Sequence, residues 1–216
     1  PEWGARLAVQ HDGQDRWYLE ALGIAADVRP SDCYRALTKV SASTAPHVMA
    51  DLLWRLRAPE VVEPIVQLIA DPQTELTSTD RYFRALEYHP VETRSRWLKA
   101  AFLNEPFATS ATDDETRAKH DAIMVRSLQR VDSPAEVVNG EVAQAVVRYI
   151  RSRKGTGEFL TLIKQLCPSG FAADLVEMAL SSRDDSVAVE AVQLIASSQD
   201  GKQQLDEALA TADPAG

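Results

Sequence analysis

Val61-Val62-Glu63-Pro64-Ile65-Val66-Gln67-Leu68-Ile69-Ala70 returns near the end of the chain as Val187-Ala188-Val189-Glu190-Ala191-Val192-Gln193-Leu194-Ile195-Ala196, with six of ten positions identical. An apolar helix that recurs 126 positions later, from Val61 to Val187, predicts one small helical unit copied along the chain rather than a single closed core. Leu68 and Leu194 then become equivalent inter-repeat core positions.

Working outward from this stretch, the segment from Ala45 to Arg57 places Val48, Met49, Leu52, Leu53 and Leu56 at helical spacing,. Pro59 follows at a first-turn position, and Pro64 inside the quoted helix predicts a kink,. Further upstream, Asp12 to Ala26 reads as a helix with an apolar face of Trp17, Leu19, Leu22 and Ile24,. Ser31 is placed to cap a short helix carrying Tyr34, Leu37 and Val40,. Downstream, Asp80-Arg81-Tyr82-Phe83 echoes Asp15-Arg16-Trp17-Tyr18, and Pro90 separates that helix from one running from Val91 to Leu103,. Each of these couples is a helical hairpin.

Asn104 to Thr112 is the longest polar interruption, and a single domain over 1–216 would divide into two lobes near 104–112. Thr112-x-x-Glu115 matches a capping box, and Ser133-Pro134-Ala135-Glu136 matches a second with proline at its first helical position,. The second opens an expected helix from Ala135 to about Arg153. Asp184-Asp185 starts the recurring helix, and Gly201 to about Ala210 supplies a polar terminal cap,. No run alternates as a strand does. The expected fold is all-α, with antiparallel helix pairs stacked into a superhelix.

Composition agrees with helix: nine glycines in 216 residues, 6% aromatic and 45% hydrophobic content,. A net charge of -9 repels polyanions, so nucleic acid is not an expected partner,. No apolar run reaches the roughly 18 residues of a membrane span, and no targeting signal opens the chain,. A start at Pro1 rather than Met fits a fragment of a larger protein. Cys33 and Cys167 are expected to be separate buried thiols,.

Asp185, Val187, Ala191 and Leu194, together with a kinking proline in the sister helix, make the chain resemble HEAT repeats, of the armadillo-type fold. More narrowly, Asp15-Arg16-Trp17-Tyr18-Leu19-Glu20-Ala21-Leu22-Gly23-Ile24, with Trp54-Arg55 and Arg81-Tyr82-Phe83-Arg84-Ala85, resembles the HEAT segment of large PVC-type bacterial haem-binding proteins. In those it accompanies a membrane-bound-dehydrogenase type of propeller and a c-type haem domain. The Cys-x-x-Cys-His signature of that haem domain does not occur in this sequence. The resemblance implies a non-catalytic docking module contacting a protein partner or neighbouring domains, in an extracytoplasmic setting, with no cofactor of its own.

Other constellations point the same way. His11, His47, His89 and His120 lie more than 30 positions apart and lack the i, i+4 pairing of helical metal sites,. Lys154-Gly155-Thr156-Gly157 lacks the order of a phosphate loop and reads as an interhelix turn,. Asp113-Asp114-Glu115 and Asp184-Asp185 suit helix N-termini better than acid–base pairs, and Arg148, Arg151, Arg153 and Lys154 suit a helix C-terminus,. Trp3, Trp17, Trp54 and Trp97 read as core rather than as binding anchors,.

Arg55, Arg57, Arg81 and Arg84 are the expected partner-binding residues, since neighbouring hairpins can gather them into one ridge of planar donors,. The competing assignment bonds them to Glu60, Glu63, Asp80 or Glu87 as structural links between repeats. An alkylpurine DNA glycosylase on a HEAT-like scaffold is the alternative function, and it needs a basic track. Residues 54–99 hold seven basic and seven acidic side chains, which makes none. A phycobilin-lyase type of protein would need a pigment pocket.

Overall fold

Thirteen α-helices and two 3-10 turns make up the regular structure among the described residues of the computed structural model, and no strand occurs among them. The described residues are 2–40, 44–166, 170–182, 184–197 and 201. Cys167 and most of the expected terminal cap lie outside them. The chain divides into two compact units, Pro1–Val142 and Ala143–Gly216. The boundary falls inside a helix, and 104–112 lies within the first unit.

The first unit opens with α1 (Glu2–Ala8), α2 (Arg16–Ala26), α3 (Pro30–Val40) and α4 (Pro46–Arg55). A 3-10 turn at Pro59–Val61 leads into α5 (Val62–Ala70), followed by α6 (Leu76–Leu86), α7 (Val91–Phe102), α8 (Glu105–Thr109) and α9 (Asp114–Leu128). Helix α10 (Gly140–Ser152) crosses into the second unit, which continues with α11 (Gly157–Leu166), α12 (Ala172–Ser181) and α13 (Asp185–Ser197).

Within the first unit α2 packs on α4, α4 on α6 and α6 on α9, while α1 packs on α3 and α5 on α7. The 3-10 turn before α5 is the part that meets α3. The quoted stretch lies at the centre of the larger core: Val62, Ile65 and Ile69 are completely buried among Phe83, Leu86, Leu98 and Phe102. A smaller cluster of Ala8, Leu19, Leu37, Val48 and Leu52 holds the first four helices together. In the second unit α13 packs on α11 and α12, and Ala191 and Ile195 are its buried residues.

The recurrence therefore holds at Ile65 and Ala191 and at Ile69 and Ile195, the pairs that are buried in both copies. Leu68 and Leu194 are only half-buried. Pro64 sits in the first turn of α5, where its missing N–H breaks no helical bond; the change of geometry occurs upstream, in the 3-10 turn,.

Local signals misplace several helix starts by a residue or more. Asp15, not Asp12, caps α2 by accepting the Tyr18 N–H at 3.0 Å, while Asp12 closes the preceding turn on Gln14 N–H. Asp113 rather than Thr112 caps α9, accepting from Thr116 N–H at 2.8 Å. Ser31 lies inside α3 and donates to Glu60.

The helix expected from Ala135 to about Arg153 forms only from Gly140 to Ser152, so its start is misplaced by five residues. Pro134–Glu136 is a 3-10 turn, Ser133 adopts φ 46 in the left-handed region without a capping bond, and the α-helix starts at Gly140. Here tertiary partners outcompete the local box. Asp132 N–H donates to Ser95 Oγ at 2.8 Å, and Lys99 pairs with Asp132 at 2.8 Å.

Candidate functional site

The arginine-rich segments lie between helices of the first unit. Arg55, at the end of α4, reaches back to α2, where its Nε donates to Glu20 Oε2 at 2.8 Å and its Nη1 stands 3.8 Å from Asp27. Arg81 on α6 reaches back to α4 in the same way, pairing with Asp51 at 2.6 Å. Arg126 on α9 repeats the arrangement with Asp80 of α6 at 3.2 Å. Each helix in the order α2, α4, α6, α9 is thus tied to the one before it by a guanidinium.

These links use different carboxylates from those the sequence nominates for Arg55 and Arg81. Glu60 accepts from Ser31, Asp80 binds Arg126 and Glu87 binds Arg130 at 2.9 Å. Glu20, Asp51 and Arg126 carry no mark in the sequence because a pairing between non-consecutive helices has no fixed spacing along the chain. The motif Asp15-Arg16-Trp17-Tyr18-Leu19-Glu20 does contain one of the acceptors, but nothing in it marks Glu20 as paired.

Placement divides the four nominated arginines. Arg55 is largely buried, its side chain 11% exposed, whereas Arg81 keeps 41% of its side chain in solvent. Arg81 also donates to Tyr82 Oη at 3.0 Å and lies 5.8 Å over the Trp54 ring. Arg57 is exposed and stacks 4.2 Å over the Tyr88 ring, which is itself 61% exposed. Arg84 is exposed on the outer side of α6.

His11 is buried, stacked on Tyr18, with Asp51 3.9 Å from its Nε2. Asp51 thereby lies between His11 and Arg81. His89 and His120 are held below the usual imidazole range chiefly by burial, and His120 also stacks on Phe107 at 4.3 Å,. Among the described residues no three His, Cys, Asp or Glu side chains gather as a metal centre would require.

The carboxylates at helix starts behave as caps. The Thr116 N–H holds Asp113 below the ordinary carboxylate range, and the Ser186 hydroxyl and N–H do the same for Asp184,. In the second unit Lys154 bridges Asp174 and Glu177 at 2.8 and 2.7 Å, Arg153 pairs with Glu158 at 3.5 Å, and Arg151 lies over Phe171.

Two features of α2 have no counterpart in the sequence reading. Trp17 is 82% exposed rather than core, and Ile24 and Val28 are exposed with it. On the inner side of the same helix, an apolar cavity of about 340 Å³ lies between α1, α2, α3 and α4, with Arg55 at its wall. Comparison with protein-family models, curated proteins and solved structures finds no match to this chain.

Proposed function

We propose that the chain is a non-catalytic interaction scaffold, a docking module of a larger multidomain protein, built as a HEAT-like superhelix of antiparallel helix pairs. The observation that carries this reading is the alternation within the first unit, where α2, α4, α6 and α9 are consecutive neighbours while α1 packs on α3 and α5 on α7, with the 3-10 turn before α5 joining the two couples through α3. Stacked hairpins produce such an alternation, because each new pair lays one helix on each row. The ladder Glu20–Arg55, Asp51–Arg81 and Asp80–Arg126 stitches one row. This leaves Arg57 and Arg84, with the half-exposed Arg81, to meet the carboxylates or aromatic rings of a protein partner,.

The commitment of Arg55, Arg81, Arg126 and Arg130 to carboxylates weighs against a phosphate-binding track, and so against the glycosylase alternative,. The test is affinity capture from the native source, followed by calorimetry of the purified pair. Arg57→Ala combined with Arg84→Ala is expected to weaken binding at least fivefold, about 1 kcal/mol, with an unchanged circular dichroism spectrum. Tight duplex DNA binding that falls steeply with salt would overturn the reading.

A further inference from the structure

Asparagine occurs twice in the chain, at Asn104 and Asn139, and the fold treats the two side chains in opposite ways. At Asn104 both ends of the amide are engaged: Oδ1 accepts the Phe107 N–H at 2.9 Å and Nδ2 donates to the Ala100 carbonyl at 2.7 Å. Asn139 is exposed on the link between the 3-10 turn at Pro134–Glu136 and α10, and its amide makes no hydrogen bond among the described residues.

The residue that follows decides what each amide can do. A backbone nitrogen reaches the side-chain carbonyl carbon of the preceding residue by closing a five-membered ring, and a side chain on its own Cα obstructs the approach. Glu105 brings such a side chain, whereas Gly140 brings none. Gly140 also holds φ 44, in the left-handed region that glycine enters without strain,. As the first residue of α10, it carries one of the N–H groups that no helical carbonyl accepts, so the attacking nitrogen is not tied up in the helix,.

We propose that Asn139 is a site of spontaneous deamidation in the folded chain, with water as the co-reactant. The Gly140 nitrogen attacks Cγ of Asn139; an N–Cγ bond forms, the amide C–N bond breaks, and the side-chain nitrogen leaves as ammonia with the proton from Gly140. Water then opens the cyclic imide on either side. Cleavage of the new N–Cγ bond gives aspartate in a normal main chain. Cleavage between the nitrogen and the main-chain carbonyl gives isoaspartate, whose chain runs through the former side chain. Either product adds a negative charge at the start of α10. Isoaspartate does more, because the Asn139 carbonyl that accepts the Val142 N–H at 2.9 Å leaves the main chain and becomes a carboxylate.

Incubation of the full chain over weeks at pH 7.5 and physiological temperature, followed by peptide mass mapping, tests the proposal. A gain of about 1 Da is expected at Asn139 and not at Asn104, with oxygen taken up from isotope-labelled water. Conversion should slow at least fivefold at pH 5.5, where the Gly140 nitrogen loses its proton less readily. Asn139→Gln, which needs a larger ring, should stay unconverted, and the Val142 N–H should exchange faster in the isoaspartate form. Equal conversion at Asn104, an Asn139 that survives in the folded chain and converts only in urea, or a chain intact at both positions would overturn the assignment.

Discussion

The Arg55 side chain lies flat across Gly23, so that a Cβ placed on Gly23 would meet Arg55 Cζ at 2.3 Å and Cγ at 2.5 Å. Both the tip and the stem of the arginine occupy the space a methyl group would need. Because helix propensity alone favours alanine over glycine by about 1 kcal/mol, the sign of the effect is diagnostic. Gly23→Ala is expected to destabilise the first unit by about 1 to 3 kcal/mol, through displacement of Arg55 from Glu20. Urea unfolding of the two proteins measures it, and a more stable variant would place Arg55 elsewhere.

Ile69 and Ile195 occupy equivalent places in the recurring helix, each wholly buried. A carboxylate at either position enters an apolar core with no partner, so Ile69→Asp should cost about 4 kcal/mol or more and Ile195→Asp should unfold its own unit. Leu68→Asp and Leu194→Asp, at half-buried positions, should cost about half as much, since their charge can reach water,. Paired denaturation curves decide this; equal losses at 68 and 69 would contradict the register.

Ser133 carries a left-handed φ of 46 and caps nothing. Glycine relieves that backbone strain, so Ser133→Gly is expected to stabilise the chain by about 0.5 to 1 kcal/mol. A serine working as a helix cap would give the opposite sign, a loss of a few tenths. Thermal unfolding resolves the two.

His89 and His120 have folded-state pKa values lowered from 6.5, mainly because burial disfavours the charged ring. The unfolded chain therefore binds protons more readily in this range. The stability they contribute is complete above about pH 6.5 and is lost as pH falls through their lower folded-state values. Urea midpoints should drop between pH 7.5 and 5.5, and His89→Gln with His120→Gln should flatten much of that slope. The lowered carboxylates Asp113, Asp132 and Asp184 act in a separate window, losing their contribution only as pH falls below about 3.8,.

The helical class was readable because a 3.6-residue apolar period survives in the chain itself, whereas the core positions taken from the ten-residue recurrence, Leu68 and Leu194, are half-buried and their neighbours Ile69 and Ile195 are the buried ones,. The exposure of Trp17 was not readable, since α2 carries apolar residues around most of its circumference. Only the positions of α1 and α4 choose the Leu19 and Gly23 side for burial. Aromatic pairs after Asp-Arg likewise look alike in sequence, yet Tyr82 and Phe83 are buried mid-helix whereas Trp17 faces solvent. Arginines could be nominated by type, but Glu20 stands 35 residues from Arg55 on a non-consecutive helix. The false helix start at Ser133 has the same origin, a partner at Ser95 that no local pattern contains.

Lys119 of α9 sends its ammonium into the turn between α5 and α6, where Nζ donates to the carbonyls of Asp71, Pro72 and Thr74 at 3.1, 2.9 and 2.6 Å. Three backbone acceptors of one reversal are thus satisfied by a single side chain from much later in the chain. A nascent polypeptide that has emerged only as far as α6 has the reversal but not its clasp. The turn becomes fixed once α9 arrives, so the two should gain protection from hydrogen exchange together and open as one cooperative unit.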